Sequence, residues 1–226
     1  MNIQTRQINF AASGLQVREA AEGEESRTLV GYALKFGTRS VNLTPWSSWR
    51  EVYEILEPGC ISMEMLNRQD VVFTAFHNPE KVLGRCTNGK GTLRMSIDSV
   101  GLRIECEMPN TELGNEMLEL VKRGDLFGMS FAYVTDEDDS ENAVSYAREA
   151  DKDGKQVWLR NVKRIDKMFD VTVAGHPAYE ETEISQRELF EAHLPKAEAE
   201  QQREKELQDK ATVMKMRAKY YNTFNY

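Results

Sequence analysis

The sequence predicts an α+β fold in which short strands form an antiparallel sheet or barrel with added helices. The first observation behind this prediction is a series of short apolar runs that alternate with polar residues or are rich in β-branched ones. The second is that one long amphipathic helix interrupts them, without the βαβ alternation of a parallel sheet. The third is a composition of 40% hydrophobic and 29% charged residues in 226, which can bury a core and stay soluble.

Several segments have the pattern of strands. They cover residues 27–36, 52–56, 71–76, 91–98, 101–108, 127–134, 156–161 and 164–174. Pro58-Gly59 is expected to form a turn, and Ser99-Val100-Gly101 joins two of the strands as a hairpin. Asn78-Pro79 is expected to break the strand that ends at His77, and residues 41–50 are expected to form a loop.

One helix is clearly indicated, at residues 112–122. Thr111 can accept a hydrogen bond from the first turn as its N-cap, and Gly124 is the residue type that ends helices. A shorter helix is expected at residues 61–67. From Glu180 onward the pattern is polar and helical, with a thin apolar stripe at Leu207, Ala211, Met214 and Ala218.

Composition excludes several classes of function. The 29 Lys and Arg against 37 Asp and Glu give a formal net charge of −8, which lacks the basic footprint of a nucleic-acid-binding protein. No apolar run approaches the roughly 18 residues of a membrane span, and the first thirty residues lack the apolar stretch of a secretory signal. Phosphate-binding glycine fingerprints are missing too. We therefore expect no nucleic acid, membrane or nucleotide cofactor as a partner.

Two patterns that suggest metal or thiol chemistry have simpler interpretations. Residues 136–141, DEDDSE, include five acids but lack the glycine turn and terminal ligand of a calcium loop, so an exposed segment is favoured. Cys60, Cys86 and Cys106 show no CxxC spacing, which favours free thiols in a reducing compartment over a disulfide or a zinc site. Cys86 as a nucleophile is the alternative, although a lone thiol in an apolar stretch is more often inert. No metal is expected.

His77 and Ser130 stand out from their surroundings. His77 follows the apolar run VVFTAF, and Ser130 lies in GDLFGMSFAY, shortly after the helix stop. A serine hydroxyl is a weak nucleophile that needs a base, and histidine can accept its proton at neutral pH. The alternatives are a polar histidine at a strand end and a serine selected for packing. These two residues alone do not decide between the interpretations.

A series of blocks in fixed order widens the evidence. The blocks are Leu29–Phe36, Glu57–Gly59, Phe76–Pro79, Leu83–Arg85, Gly91–Leu93, Gly101-Leu102, Leu120–Tyr133 and Val171–Ile184. In content and order they resemble the prohead (procapsid maturation) proteases of tailed phages. The resemblance implies a serine endopeptidase with the fold of the herpesvirus assemblins. That fold is a mainly antiparallel β-barrel with surrounding helices, in agreement with the strand-rich pattern.

The resemblance also assigns roles. His77 matches the histidine of the family, which implies the general base, and Ser130 matches the serine of its G-x-S-F block, which implies the nucleophile. Asp170, in Asp170-Val171-Thr172, matches an acidic residue followed by Val-Ser, where the family more often has Glu. Assemblins use a second histidine as the third member of the triad, so His176 is the alternative to Asp170. His193 lies in the polar tail and is expected to be solvated.

The implied organisation is an N-terminal extension at residues 1–26, a protease domain at 27–184 and a charged helical tail at 185–226. Self-cleavage would remove this tail, which is otherwise a solvated helix or a docking helix for a scaffold or capsid partner. The implied substrates are the major capsid protein and a scaffold segment, cut inside the assembling procapsid in the host cytoplasm. Assemblins dimerise, which makes a homo-oligomer an open expectation. The alternative function is a non-enzymatic capsid or tail assembly protein with a similar barrel.

Overall fold

Strands dominate the fold. The computed structural model describes residues 4–7, 13–19, 25–44 and 51–174, with the backbone alone for residues 4–7. The strands are β1 Gln4–Gln7, β2 Gln16–Val17, β3 Thr28–Lys35, β4 Val52–Leu56, β5 Asp70–Ala75, β6 Asn78–Thr87, β7 Lys90–Gly91, β8 Leu93–Ile97, β9 Gly101–Glu107, β10 Gly128–Val134, β11 Val144–Ala150, β12 Gln156–Val162 and β13 Lys167–Ala174. The described residues also form two complete helices, α1 Met63–Leu66 and α2 Glu112–Arg123.

The strands are arranged in three sheets. Their orders are β1-β10-β13-β5-β6-β7, β2-β3-β9-β8 and β11-β12-β4. Most neighbours are antiparallel, as predicted, but β13 pairs with β5 and β12 with β4 in parallel. Within the described residues no sheet closes on itself, so the predicted closed barrel is not found. The six-stranded sheet ends at β1 on one side and at the two-residue β7 on the other.

The core lies between the six-stranded and the four-stranded sheets. Phe73, Phe131 and Val171 of the first sheet and Leu29 and Ile104 of the second belong to one cluster of buried apolar side chains. Two glycines allow the sheets to approach closely. A Cβ atom added to Gly31 would lie 3.1 Å from the sulfur of Met129, and one added to Gly84 would collide with the sulfur of Cys106.

Helix α2 lies where Thr111 and Gly124 predicted its two ends. The side chain of Thr111 accepts a hydrogen bond from the backbone N–H of Gly114 at 3.1 Å, so it caps the first turn. Gly124 follows the helix with φ of 79°, the left-handed conformation that glycine adopts without strain. Met117 and Val121 are buried on the face toward the sheets. Helix α1 likewise lies inside the predicted range 61–67.

Other elements differ from the prediction. Asn78-Pro79 does not end a strand but begins β6, because the chain reverses one step earlier, at Phe76-His77. Strand β11 pairs with β12 as a hairpin and was not predicted from its mixed sequence, VSYAREA. In the segment expected to be an N-terminal extension, β1 pairs with β10 and β2 pairs with β3. The sheet edges therefore include residues that precede the first predicted strand.

The acidic tract 136–141 is less exposed than predicted. Glu137 and Glu54 both pair with the guanidinium of Arg160, which is completely buried. The hydroxyl of Tyr133 also donates a hydrogen bond to Glu54, at 2.9 Å. Asp139 pairs with Arg164 at 3.0 Å. Part of the negative charge is therefore neutralised inside the fold, because a buried cation needs carboxylate partners.

Candidate active site

Three side chains from three separate parts of the chain meet on one face of the six-stranded sheet, beside strands β10, β13 and β5. His77 lies in the turn after β5, Ser130 on β10 and Asp170 on β13. The imidazole is bonded on both sides: Nε2 lies 2.7 Å from Ser130 Oγ, and Nδ1 lies 2.8 Å from Asp170 Oδ1. Both distances are those of short hydrogen bonds. Ser130 and Asp170, which lie on different strands, are thus joined through one imidazole ring.

The position of His77 depends on a strained two-residue turn. Ala75 and Asn78 pair across the β5–β6 hairpin, and the central residues Phe76 and His77 have φ of 60° and 54°. Type I′ hairpin turns require positive φ at both central positions, where bulky residues are uncommon. Such conformations persist only when the surroundings hold them. Here the N–H of Phe76 donates to the carbonyl of Val173 at 3.0 Å.

Thr172 holds the other half of the turn. Its hydroxyl accepts a hydrogen bond from the backbone N–H of His77 at 3.0 Å and donates one to the carbonyl of Thr74 at 2.8 Å. Thr172 is completely buried. The turn that carries the imidazole is therefore tied to the same strand that carries Asp170.

A β-bulge lies directly before Asp170 in β13. In the β10–β13 ladder Ala132 pairs with Asp170 but Tyr133 pairs with Met168, so Phe169 has no partner. In a regular strand residues 168 and 171 would point to opposite faces, yet both Met168 and Val171 belong to the core. The bulge absorbs the mismatch and turns Met168 into the core, whereas Asp170 lies on the opposite face by regular alternation with Val171.

Ser130 reaches the same face by regular alternation. Its neighbours Met129 and Phe131 point into the core, and Ser130 pairs directly with Thr172 across the ladder. Only 2% of Ser130 is exposed. When Nδ1–H of His77 donates to the Asp170 carboxylate, Nε2 presents its lone pair to the Ser130 hydroxyl. This arrangement can transfer a proton from serine to histidine.

The comparison with protein families decides the family. Residues 13–195 match the family described as caudovirus prohead serine protease. The chain belongs to this family. No curated protein and no solved structure matches the chain significantly. The resemblance inferred from the sequence is thereby confirmed, and the chain is a member of a serine protease family of phage head maturation.

Asp170 and His176 were the two candidates for the third residue of the triad in this member of the prohead protease family. The structure brings Asp170 into contact with His77. His176, the alternative, and His193 lie outside the described residues, as does the apolar stripe of the tail. Among the residues that are described, no three His, Cys, Asp or Glu side chains gather as a metal ion would need.

The cysteines lie apart from this site. Cys86 pairs with Val71 in the ladder, and both side chains belong to the core on the other face of the sheet. Burial raises the pKa of the Cys86 thiol, and it raises the pKa of Cys60 and Cys106 to about 12. A protonated thiol is a poor nucleophile. The geometry gives no support to a cysteine nucleophile.

Sequence reasoning missed Thr172 and the groove that adjoins Asp170. A signal for Thr172 was present, because the acid-Val-Ser block of the family puts a hydroxyl at this position. The groove has no comparable signal, since it results from the irregular pairing of β5 with β6. In the described ranges no helix is long and apolar enough to cross a membrane.

Proposed function

We propose that this protein is a serine endopeptidase that cuts capsid or scaffold protein inside the procapsid, with Ser130 as nucleophile, His77 as general base and Asp170 as the residue that orients His77. The observation that carries the proposal is the imidazole of His77 bonded at 2.7 Å to Ser130 and at 2.8 Å to Asp170. The family of prohead serine proteases supplies the class of reaction.

The acylation step follows from this arrangement. Ser130 Oγ attacks the scissile carbonyl carbon while its proton moves to His77 Nε2. The imidazolium that forms is stabilised by the Asp170 carboxylate through Nδ1–H. His77 then gives the proton to the departing amine, the C–N bond breaks, and an acyl-enzyme on Ser130 remains. Backbone N–H groups beside Ser130 would stabilise the negative charge of the tetrahedral intermediate.

Deacylation repeats the proton transfer with water. His77 Nε2 takes a proton from water, the hydroxide oxygen attacks the ester carbonyl, and the proton returns to Ser130 Oγ as the C–O bond breaks. Solvent can reach the imidazole, since 25% of the His77 side chain is exposed. The second half-reaction therefore needs no movement of His77 out of its turn.

A short aspartate can fill the third position because its strand is adjacent to the nucleophile strand. β13 pairs directly with β10, and Asp170 pairs with Ala132, two residues from Ser130. Neighbouring strands lie about 4.8 Å apart, so the carboxylate needs no longer side chain to reach the imidazole between them. We therefore assign the acidic role to Asp170 where the family more often has Glu.

We infer the substrates, the place of action and the oligomeric state from the family. The major capsid protein and a scaffold segment are the substrates, and the enzyme acts within the assembling shell in the host cytoplasm. Its three sheets are related to the assemblin barrel but do not close within the described residues. By analogy with the assemblin dimer, we expect the protein to form a homo-oligomer. These assignments rest on the family and on the mainly antiparallel sheets.

Co-expression with the major capsid protein tests this function. Wild type should shorten the capsid or scaffold chain, while Ser130→Ala and His77→Ala should leave it intact. Cys86→Ala is the matched control and should cut as wild type does. Equal shortening by all these variants would refute the proposal.

We also propose that the tail at residues 185–226 is removed by the enzyme itself. Exposed terminal segments are easily cut. Intact-mass measurement of purified wild type beside Ser130→Ala distinguishes self-cleavage from trimming by host proteases. A shortened wild type and a full-length Ser130→Ala are expected. A tail lost equally from both would contradict self-cleavage.

A further inference from the structure

A groove adjoins the triad on the face of the six-stranded sheet opposite the core. It has a volume of about 610 Å³ and runs across β13, β5 and β6. Asp170 and Thr74 lie along it, Val72, Val82 and Phe169 give it an apolar lining, and Lys167 lies in its wall. Because Asp170 belongs both to the triad and to the groove, a chain bound in the groove would pass beside His77 and Ser130.

Irregular pairing of β5 with β6 makes room for the groove. Thr74 pairs with Val82, but the next residue, Ala75, pairs with Asn78. Residues 79–81 are therefore left out of the ladder. Pro79, in this bulged segment, lines the groove. Bulges of this kind open a sheet locally and occur often beside active sites.

The hydroxyl of Thr74 has no partner in the part of the chain that the structure describes. Thr74 is 2% exposed, and its Oγ1 is a buried side-chain oxygen without a hydrogen bond. Buried hydroxyl groups in native proteins are almost always bonded, because an unpaired one is destabilising. Thr74 lines the groove, so a bound group can supply the missing partner.

The charge of the groove is opposite to that of the whole protein. Arg68, Arg85 and Lys167 line it against Asp70 and Asp170, whereas the chain carries a net charge of −8. Both arginines already have carboxylate partners, Glu64 for Arg68 and Asp70 for Arg85. The ammonium of Lys167 instead lies over the ring of Phe169, 4.6 Å from its centre. After Arg85, its charge also lowers the pKa of Asp70, but no carboxylate of the described residues forms a close ion pair with it. Lys167 is thus the cation available to a ligand.

We propose that this groove is a substrate subsite that binds an acidic side chain of the cleaved polypeptide. The aliphatic part of that Asp or Glu packs on Val72, Val82 and Phe169, its carboxylate pairs with Lys167, and the Thr74 hydroxyl donates to a main-chain carbonyl of the substrate. The inference rests on the proposed function, because it supposes that Ser130 cleaves a polypeptide.

Strand spacing gives the distance between the scissile bond and the substrate carbonyl that Thr74 binds. Ser130 on β10 and Thr74 on β5 are separated by two strand intervals, about 10 Å. An extended peptide advances about 3.3 Å per residue. The substrate residue whose carbonyl meets Thr74 therefore lies about three positions from the bond that Ser130 attacks.

Cleavage of a peptide library tests the charge preference. Purified wild type is incubated with pooled peptides, and the residues around each cut are read by mass spectrometry. An excess of Asp and Glu at one position is expected. Lys167→Glu should lower kcat/KM for the acidic substrates about tenfold and favour Lys or Arg at that position. Lys152→Glu, the same charge change at an exposed turn outside the groove, should keep the wild-type preference.

The outcomes separate this inference from the proposed function. Cleavage that disappears in Ser130→Ala but shows no acidic preference, or a preference that Lys167→Glu leaves unchanged, would overturn the subsite and leave the protease standing. Cleavage that persists in Ser130→Ala would refute the proposed function itself. The acidic preference should also weaken in concentrated salt, because exposed charges are screened.

Thr74→Val tests the hydroxyl independently of charge. The substitution removes an unpaired polar group, so Tm should not fall, yet kcat/KM should decrease about three- to tenfold for acidic and neutral substrates alike. Thr135→Val is the matched control: its buried hydroxyl already donates to the carbonyl of Arg164 at 2.6 Å. That variant should lose stability and retain kcat/KM. A Thr74→Val protein with unchanged kcat/KM would contradict the role of the hydroxyl.

Discussion

The hydroxyl of Thr172 accepts a hydrogen bond from the backbone N–H of His77, with 3.0 Å between oxygen and nitrogen. It also donates a hydrogen bond to the carbonyl of Thr74, so this buried hydroxyl is satisfied both as acceptor and as donor. The contact matters because His77 has a positive φ that its own side chain does not favour. One strand thus supplies both the carboxylate that orients the imidazole and the hydroxyl that holds its backbone.

Replacing Thr172 should therefore act through His77. In Thr172→Val the part-buried N–H of His77 loses its acceptor, which destabilises the turn and allows it to shift. We expect kcat to fall about tenfold or more with little change in KM, because substrate binding does not use this hydroxyl.

Thr172→Ser is the conservative control for this prediction. It keeps the hydroxyl and should restore most of kcat. If Thr172→Ser were as slow as Thr172→Val, the hydrogen bond to His77 would not be the cause, and packing of the threonine methyl group would explain the loss.

Asp170→Asn should lower kcat about 10³–10⁴-fold while the protein stays folded. The amide keeps the size of the side chain but can no longer stabilise the imidazolium, and it favours the wrong tautomer of His77. Asp166→Asn, a neighbouring exposed aspartate that pairs with Arg164, is the control and should retain activity. Equal rates for these two variants, measured on one peptide substrate, would point to a different third member such as His176.

The three cysteines should be unreactive in the folded protein. Burial raises the pKa of Cys60 and Cys106 to about 12, and it also raises the pKa of Cys86, so at pH 8 all three stay protonated. Iodoacetamide should modify none of them before unfolding and all of them in denaturant, as read by intact mass. Proteolysis should survive the treatment. Labelling of Cys86 that abolishes activity would instead favour a cysteine peptidase.

Arg160 should be among the most sensitive positions for stability. Its guanidinium is fully buried and pairs with Glu54 and Glu137, so Arg160→Met removes the cation that both carboxylates share. We expect the free energy of unfolding to fall by about 3–5 kcal/mol in a urea titration.

Arg94→Met provides the comparison for Arg160. Arg94 is 78% exposed and pairs with Glu105 at 3.3 Å, so its loss should change the free energy of unfolding by less than about 1 kcal/mol. Similar midpoints for the two variants would show that the buried ion pairs contribute little.

Local patterns predicted local structure well. Helix α2 was predicted because Thr111 and Gly124 are chemical signals that act within one turn. Most strands were predicted because alternation is visible in a short window. Strand β11 was missed because its half-exposed residues do not alternate, and its pairing with β12 decides its conformation.

Long-range geometry was not predictable in the same way. The sequence and the family resemblance together nominated His77, Ser130 and Asp170, but not the positive φ at His77 that places the imidazole between the other two. The acidic tract was interpreted as exposed because a single sequence does not show that Arg160 is buried behind it. Sheet closure likewise depends on pairings at the edges, which short apolar runs do not specify.

Covalent labelling of Ser130 tests the central claim most directly. A serine-reactive fluorophosphonate is added to wild type, His77→Ala and Ser130→Ala, and the modified peptide is identified by mass spectrometry. The proposed triad predicts one adduct on Ser130 in wild type, strong slowing in His77→Ala, and no adduct in Ser130→Ala. Labelling at another serine, or of Ser130 at the same rate without His77, would contradict it.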